Sequence, residues 1–327
     1  MIGPLGAGRR RRRRGRWLVL LALLLAPPAV AAAAYLALMR DPGPGAAAAL
    51  PAPSAAGTPL DAGGSLEPRS PAPIRLTGVD AFRAELRGPP AAALVFDLED
   101  GEVLYRLNPR RTLPMASLTK IMTALAVTQN ARPGELVRIT PATLKYSGSG
   151  VGVLPRGRRV RLETLLNGLM IVSGNDAAIA LAGHVSGSER RFVALLNEKA
   201  RLWGLTCTRF ASSHGLEDGN RSCPADLAVL ARLAMRDRRI ARIVRRAQAS
   251  FPFPIQGGRL YLPGHNPLIR RRYRGAIGLK TGYTNAAGRC FVGVARRGGR
   301  TLGVVLLDSP DPGRQAAALL DRGFATG

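Results

Sequence analysis

The stretch LPMASLTKIMTAL places Ser117 and Lys120 three residues apart. Residues at this spacing on a helix share one face, with Cβ atoms ~5–6 Å apart, so the amine of Lys120 can reach the hydroxyl of Ser117. A serine hydroxyl becomes a useful nucleophile when a neighbouring base removes its proton. The pattern therefore predicts a nucleophilic serine, Ser117, that is activated by Lys120.

The lysine at position 120 stands out because lysine is rare in this chain. The chain has 48 basic residues, and only four of them are lysine. A guanidinium stays protonated at neutral pH, whereas a desolvated ammonium can lose its proton and act as a base. Pro114 suits a chain entering a helix, which predicts that Ser117 lies near the positive end of the helix dipole.

Two further polar motifs interrupt apolar segments. In IVSGNDAAIAL, Ser173 and Asn175 lie in a predicted turn between two helices, where they could relay a proton and hold a substrate amide. In AIGLKTGYTN, Lys280 and Thr281 end an apolar strand and offer donors to a carboxylate, while Gly282 leaves room for an extended peptide. Each motif alone is also compatible with an ordinary helix break or surface turn.

The three motifs together carry a stronger signal. Ser-x-x-Lys, Ser-Gly-Asn and Lys-Thr-Gly follow one another in the order found in penicillin-binding proteins and class A β-lactamases. Over about residues 90–326 the chain resembles the serine-type D-alanyl-D-alanine carboxypeptidases of peptidase family S11, which are low-molecular-weight penicillin-binding proteins. The likeness is carried by ASLTKIMTALAV, LLNGLMIVSGNDAAIALAGHV, LTCTRFASSHGLED and AIGLKTGYTNAAGRCFVGVA.

The resemblance implies an α+β fold of the penicillin-recognising serine β-lactamase/DD-peptidase type. In that fold an antiparallel sheet is flanked by helices, and the active site lies in the cleft between the lobes. Ser117 would be the acylated nucleophile and Lys120 its base. The oxyanion hole would consist of the backbone N–H groups of Ser117 and Tyr283, aimed at the oxygen of the tetrahedral intermediate.

The other motif residues receive substrate roles by the same resemblance. Ser173 would pass a proton toward the leaving D-alanine, and Asn175 would hold both the peptide amide and the lysine base. Lys280 and Thr281 would bind the terminal carboxylate, with Gly282 alongside the peptide. No metal or other cofactor is expected, since the three histidines are scattered and no metal-ligand spacing is visible.

The implied reaction is removal of the terminal D-alanine from a peptidoglycan pentapeptide, with β-lactams as covalent inhibitors. A DD-endopeptidase that cuts cross-links would carry the same motifs. A β-lactamase is less favoured, because it usually reads Ser-Asp-Asn at the second motif. An inactive wall-binding or polyanion-binding module is the remaining alternative, and intact motifs argue against it.

The secondary-structure pattern around these motifs predicts an α+β domain. AAALVFDLEDGEVLYRLNP and RCFVGVARRGGRTLGVVLLD predict strand pairs near the two ends of the domain, and helical patterns lie between them. This order predicts a sheet completed by both ends of the domain, with a helical lobe inserted between. In SLTKIMTALAVTQ, the spacing predicts that Leu118, Ile121, Met122 and Leu125 share one apolar helix face.

The N-terminal part predicts export. Residues 1–16 form a basic tail, and the apolar residues 17–39 are long enough to cross a ~30 Å hydrocarbon core. The preceding arginines predict an anchor with everything after it outside the bacterial cytoplasmic membrane. A cleaved secretory signal is the alternative. Residues 40–73 read as a Pro/Ala/Gly-rich linker, and residues 74–327 as the catalytic domain.

Charge and cysteines add two expectations. The formal net charge of +27 favours polyanions such as anionic lipid or wall polymer, although an arginine-rich solvated surface would look the same, and no nucleic-acid partner is predicted. Cys207 and Cys223 bracket one loop in an oxidising compartment, which predicts a disulfide. Cys290 lies in an apolar strand and is predicted to be a buried thiol. His214 is predicted to be structural.

Overall fold

The computed structural model describes residues 74–326, and its secondary structure is mixed. The strands are β1 (Ala92–Asp97), β2 (Val103–Leu107), β3 (Leu113–Pro114), β4 (Leu136–Arg138), β5 (Arg159–Arg161), β6 (Arg221–Ser222), β7 (Gln248–Pro252), β8 (Arg259–Pro263), β9 (Ala276–Thr284), β10 (Gly288–Arg297) and β11 (Arg300–Leu307). The helices are α1 (Thr119–Asn130), α2 (Pro141–Leu144), α3 (Leu162–Ile171), α4 (Asn175–Ser186), α5 (Glu189–Leu202), α6 (Pro224–Arg236), α7 (Arg238–Val244), α8 (Pro267–Arg270) and α9 (Pro312–Phe324), with a 3₁₀ helix at Ala116–Leu118.

The main sheet has five antiparallel strands in the order β2-β1-β11-β10-β9. β1, from the start of the domain, pairs with β11 near its end, with Ala92 opposite Leu307. The prediction that both ends complete one sheet is therefore confirmed, as is the α+β class. β9, which carries the third motif, lies at one edge of this sheet, and β2 lies at the other.

Each face of the sheet packs against a different set of helices. Val304 and Leu306 of β11 pack with Leu319 of α9 in the smaller core cluster. Val305 and Leu307 face the opposite side and belong to the larger cluster, which contains most of the helical lobe. Because side chains alternate along a strand, the continuous apolar run of β11 serves both layers.

The first helix is more deeply buried than its sequence pattern indicates. We predicted one apolar face formed by Leu118, Ile121, Met122 and Leu125, but every residue from 119 to 127 is buried. The four predicted residues are buried as expected, and the rest of this stretch is buried as well because α1 is surrounded by α3, α4, α5, α6 and α7. A helix enclosed in this way is a firm support for Lys120 on its first turn.

Pro114 occupies a different element from the one predicted. It lies in β3, opposite Arg221 of β6, and the helical turn begins two residues later. A proline cannot donate to a ladder, but it is tolerated in such a short, two-stranded pairing where its missing N–H is not required. Ser117 still lies in the first helical turn after this strand.

The predicted tail, apolar segment and linker of residues 1–73 lie outside the described residues. Within residues 74–326, no helix combines the length and the apolar character that crossing a membrane requires. Two small two-stranded sheets that the sequence pattern did not predict, β4–β5 and β7–β8, pack against helices α3 and α4.

Candidate active site

The first motif lies where the 3₁₀ helix runs into α1. Ser117 is partly exposed in the 3₁₀ helix, and Ala116 before it has a positive φ of 49°. Such backbone values are uncommon for residues other than glycine and often mark functional sites. The edge strand β9 packs directly on this turn, because a Cβ at Gly282 would lie only 3.0 Å from the Ser117 nitrogen. The glycine of the third motif thus allows the strand to approach the serine.

Lys120 is fully buried and its amine has three hydrogen-bond partners. Its Nζ lies 2.9 Å from Ser117 Oγ, 2.6 Å from Asn175 Oδ1 and 2.7 Å from the backbone oxygen of His214. The Asn175 and His214 oxygens only accept hydrogen bonds. Ser117 is the one partner of the three that can itself donate.

This arrangement suits a neutral amine. A neutral Nζ has two N–H groups and one lone pair, so it can donate to Asn175 and His214 while the lone pair faces the Ser117 hydroxyl. The orientation of the Asn175 amide is fixed from its other end, because its Nδ2 donates to the Ser147 oxygen at 2.6 Å. This geometry is compatible with proton transfer from Ser117 to Lys120.

The electrostatic environment also favours a neutral Lys120 amine. Burial is the largest cause that holds the pKa of Lys120 well below its usual range, and the charge of Lys280 lowers it further. Asp176 and Glu217 raise that pKa in part. The net shift favours the unprotonated amine that a general base requires.

The second motif joins α3 to α4. Ser173 is buried, has a positive φ of 61°, and its Oγ has no hydrogen-bond partner within the described residues. Asn175 is the first residue of α4 and is also buried. The structure thus brings Asn175 into contact with Lys120, while the Ser173 hydroxyl remains available to another group.

The third motif lies within β9 rather than at its end, since the strand continues to Thr284. Lys280 is 2% exposed, and burial lowers its pKa to about 7. Its Nζ donates to the Thr281 oxygen at 2.8 Å. Tyr283, whose backbone N–H was predicted for the oxyanion hole, follows Gly282 and has a side chain that is 64% exposed.

Sequence reasoning missed several side chains beside the third motif. Arg246, His265 and Asn266 line a small cavity together with Thr281. Burial and the neighbouring charge of Lys280 lower the pKa of His265. Motif reading could not find these residues, since they lie on other segments and follow no recognisable spacing.

The loop between α5 and α6 supplies the backbone acceptor for Lys120. Gly215 of this loop has a φ of +88°, and a Cβ there would lie 2.1 Å from the Ala116 oxygen, so only glycine fits. The His214 imidazole lies near Glu189 and Glu217, 3.6 Å and 3.8 Å away, and burial lowers its pKa. The side chain is structural in these contacts, but its carbonyl is part of the site.

A disulfide closes this loop. Cys207 and Cys223 are bonded, with Cα atoms 5.6 Å apart and a sequence separation of 16. Cys290 is buried, and burial raises the pKa of its thiol to about 12. The bond ties the loop that carries the His214 carbonyl to Cys223, the residue that immediately precedes α6.

We expect the double substitution Cys207→Ser/Cys223→Ser to lower the free energy of unfolding by ~3 kcal/mol, because an open loop has more conformational freedom in the unfolded chain. Urea unfolding of the wild type with and without reductant, beside the double variant, measures the effect. Reductant should leave the double variant unchanged. An equal unfolding midpoint for oxidised and reduced wild type would contradict the prediction.

Comparison with known proteins supplies the context for this geometry. Residues 86–311 match the family described as D-alanyl-D-alanine carboxypeptidase, Peptidase S11. Among curated proteins, the chain is 39% identical over 247 residues to the D-alanyl-D-alanine carboxypeptidase DacB2 of Mycobacterium tuberculosis. That alignment covers 73% of this chain and 83% of DacB2.

Solved structures of DD-peptidases also resemble this chain. A crystal structure of a D-alanyl-D-alanine carboxypeptidase from Mycobacterium tuberculosis aligns with a TM-score of 0.69 and 36% identity, over 74% of this chain and 94% of that one. The Streptomyces K15 DD-transpeptidase aligns with a TM-score of 0.68 and 30% identity, over 74% of this chain and all of that one.

Proposed function

On the premise that the chain belongs to the D-alanyl-D-alanine carboxypeptidase family of peptidases, peptidase S11, we propose how its residues act. The enzyme is a serine hydrolase that removes the terminal D-alanine from peptidoglycan stem peptides. The single observation that carries the residue assignment is the buried Lys120 amine 2.9 Å from Ser117 Oγ.

Acylation begins when Lys120 takes the proton of Ser117 and Oγ attacks the carbonyl carbon of the penultimate D-alanine. The carbonyl oxygen becomes an oxyanion, for which the backbone N–H groups of Ser117 and Tyr283 are the proposed donors. The C–N bond to the terminal D-alanine then breaks, and the leaving amine takes up the proton through Lys120 and Ser173. The hydroxyl of Ser173 supports this relay, because it has no hydrogen-bond partner among the described residues that would compete for its proton.

Deacylation repeats the steps with water as the nucleophile. Lys120 removes a proton from water, the hydroxide attacks the acyl carbon, and the Ser117 Oγ leaves with that proton. Until the terminal D-alanine leaves, Lys280 and Thr281 bind its carboxylate, and in both steps Asn175 holds the peptide amide while it keeps its contact with Lys120. The location of Lys280 and Thr281 on the strand that packs against Ser117 supports this arrangement.

The test is release of D-alanine from a synthetic pentapeptide, together with labelling by a fluorescent penicillin. We expect stoichiometric labelling at Ser117, identified by peptide mass, and Ser117→Ala as the unlabelled control. An adduct on another side chain, or D-alanine release that survives in Ser117→Ala, would exclude the assignment. A cross-linked muropeptide dimer as the second substrate separates carboxypeptidase from endopeptidase activity.

Binding of the substrate carboxylate should depend on pH through Lys280, whose pKa lies at about 7. Below that value Lys280 is protonated and attracts the carboxylate, and above it the charge is lost. We expect kcat/KM to fall with rising pH above about 7, by up to about tenfold per pH unit, because kcat/KM reports the free enzyme. Lys280→Arg, which keeps its charge, should remove this decline. A kcat/KM that is constant from pH 7 to 9 in the wild type would refute the prediction.

We also propose that the catalytic domain acts on the outer face of the cytoplasmic membrane, anchored through residues 17–39. The Cys207–Cys223 disulfide supports an oxidising compartment, and the substrate lies outside the membrane. The mass of the mature protein tests the anchor. A chain that lacks residues 17–39 would indicate secretion after signal cleavage.

A further inference from the structure

A glycine-rich loop, residues 145–152 with the sequence KYSGSGVG, lies beside the active site. It is joined to the start of α4 by two hydrogen bonds from Asn175. The backbone nitrogen of Asn175 donates to the Ser149 oxygen at 2.8 Å, and its Nδ2 donates to the Ser147 oxygen at 2.6 Å. This loop therefore fixes the orientation of the Asn175 side-chain amide, whose oxygen contacts Lys120.

Asp176, the next residue along α4, holds the far end of the same loop. Its Oδ1 accepts from the Val151 nitrogen at 2.8 Å, and its Oδ2 accepts from the Gly152 nitrogen at 2.9 Å. The carboxylate is 1% exposed and has no ion-pair partner among the described residues. Backbone N–H groups can stabilise a buried carboxylate in this way, because bonds to the charged form favour it.

The two attachments form one chain of contacts to the nucleophile. Asp176 fixes Val151 and Gly152, the loop presents the Ser147 oxygen to Asn175, and Asn175 Oδ1 lies 2.6 Å from Lys120 Nζ. If the loop moved, the Asn175 amide would lose the acceptor that fixes its orientation. Lys120 would then lose one of the two acceptors that aim its lone pair at Ser117.

We propose that Asp176 is a positioning residue for acylation, which clamps the glycine-rich loop so that Asn175 keeps the Lys120 amine directed at Ser117. The inference rests on the proposed function, because it concerns the same site. Among residues 74–326, no hydrogen bond or ion pair joins Asp176 to Ser117 or to Lys120. Its effect is transmitted through the loop and through its charge.

The charge gives a readout that a purely structural residue would not. Asp176 raises the pKa of Lys120, as does Glu217, whereas burial and Lys280 lower it. The His214 imidazole also interacts with that amine, and burial is the largest cause that lowers the pKa of this imidazole. Removing the charge of Asp176 should therefore lower the pKa of Lys120 further and move the acid limb of the acylation profile to lower pH.

The experiment compares Asp176→Asn with Val151→Ala by the rate of acylation with a fluorescent penicillin from pH 5 to 9. Asp176→Asn keeps the shape of the side chain but places an NH₂ against a backbone donor. We expect acylation about 10- to 100-fold slower, as for a small displacement of a catalytic group, with the acid limb at lower pH. In the wild type, Val151 Cγ2 packs closely against Gly168 and Gly174: a Cβ built on these glycines would lie 2.6 Å and 3.1 Å from it. Val151→Ala removes this methyl group and should therefore loosen the same loop.

Val151→Ala should slow acylation by a smaller factor and leave the acid limb in place, since no charge is lost. Hydrogen exchange of residues 147–152 should increase in both variants. Wild-type acylation and an unmoved acid limb in folded Asp176→Asn would overturn the proposal. If Asp176→Asn does not fold, normal acylation by a Val151→Ala enzyme with a demonstrably loosened loop overturns it instead. A wild type that is not labelled at Ser117 would count against the proposed function and not against this clamp.

Discussion

Replacing Lys120 by arginine is expected to lower the rate of acylation by about a thousandfold, the size of a lost general base. The guanidinium would keep a positive charge in the site but could not accept a proton at neutral pH. It would also be larger than the fully buried amine that now lies within 2.9 Å of Ser117 Oγ, Asn175 Oδ1 and the His214 oxygen. Single-turnover labelling with a fluorescent penicillin measures the rate directly.

Lys145→Arg is the matched control for this substitution. Lys145 is exposed at the start of the glycine-rich loop, and its side chain has no contact with the motif residues among the described contacts. We expect its acylation rate to stay within about twofold of the wild type, since surface substitutions rarely matter. A folded Lys120→Arg enzyme that keeps a tenth of the wild-type rate would show that the proton goes elsewhere.

The contacts that could be predicted from the sequence are the local ones. Ser117 and Lys120 are three residues apart, so one helical turn determines their distance whatever the rest of the fold does. The strand pairs could also be predicted from the sequence, because their apolar runs are bounded by turn residues. The order of the three motifs added the long-range information that no local pattern contains.

The contacts that could not be predicted involve backbone atoms from distant segments. The His214 oxygen that completes the environment of Lys120 is 94 residues away in sequence, and a carbonyl acceptor has no residue-type signature. The Ser147 oxygen that accepts from Asn175 Nδ2 is likewise a backbone acceptor without a residue-type signature. Burial of α1 on all sides was missed because small residues and threonines on its second face look solvent-compatible in a sequence pattern.

Gly215 is the clearest example of a residue whose importance only the structure shows. Ala at this position would need a φ of +88° and would place its Cβ 2.1 Å from the Ala116 oxygen and 2.7 Å from Thr119 Oγ1. We expect Gly215→Ala to lower the free energy of unfolding by about 4 kcal/mol or more, since strain and overpacking act together. Because Ala116 must move and Ser117 follows it directly, the folded fraction should also acylate about 100-fold more slowly.

Gly204→Ala separates the two causes. Gly204 also has a positive φ, +66°, but a Cβ there would meet nothing within 4 Å. Its substitution should cost only the ~1–2 kcal/mol of a left-handed backbone, with normal acylation. Urea unfolding and penicillin labelling of both variants measure the difference. Equal losses of stability, with wild-type acylation in Gly215→Ala, would mean that the loop can withdraw from Ala116 without moving the nucleophile, and that the close packing of these two segments does not position Ser117.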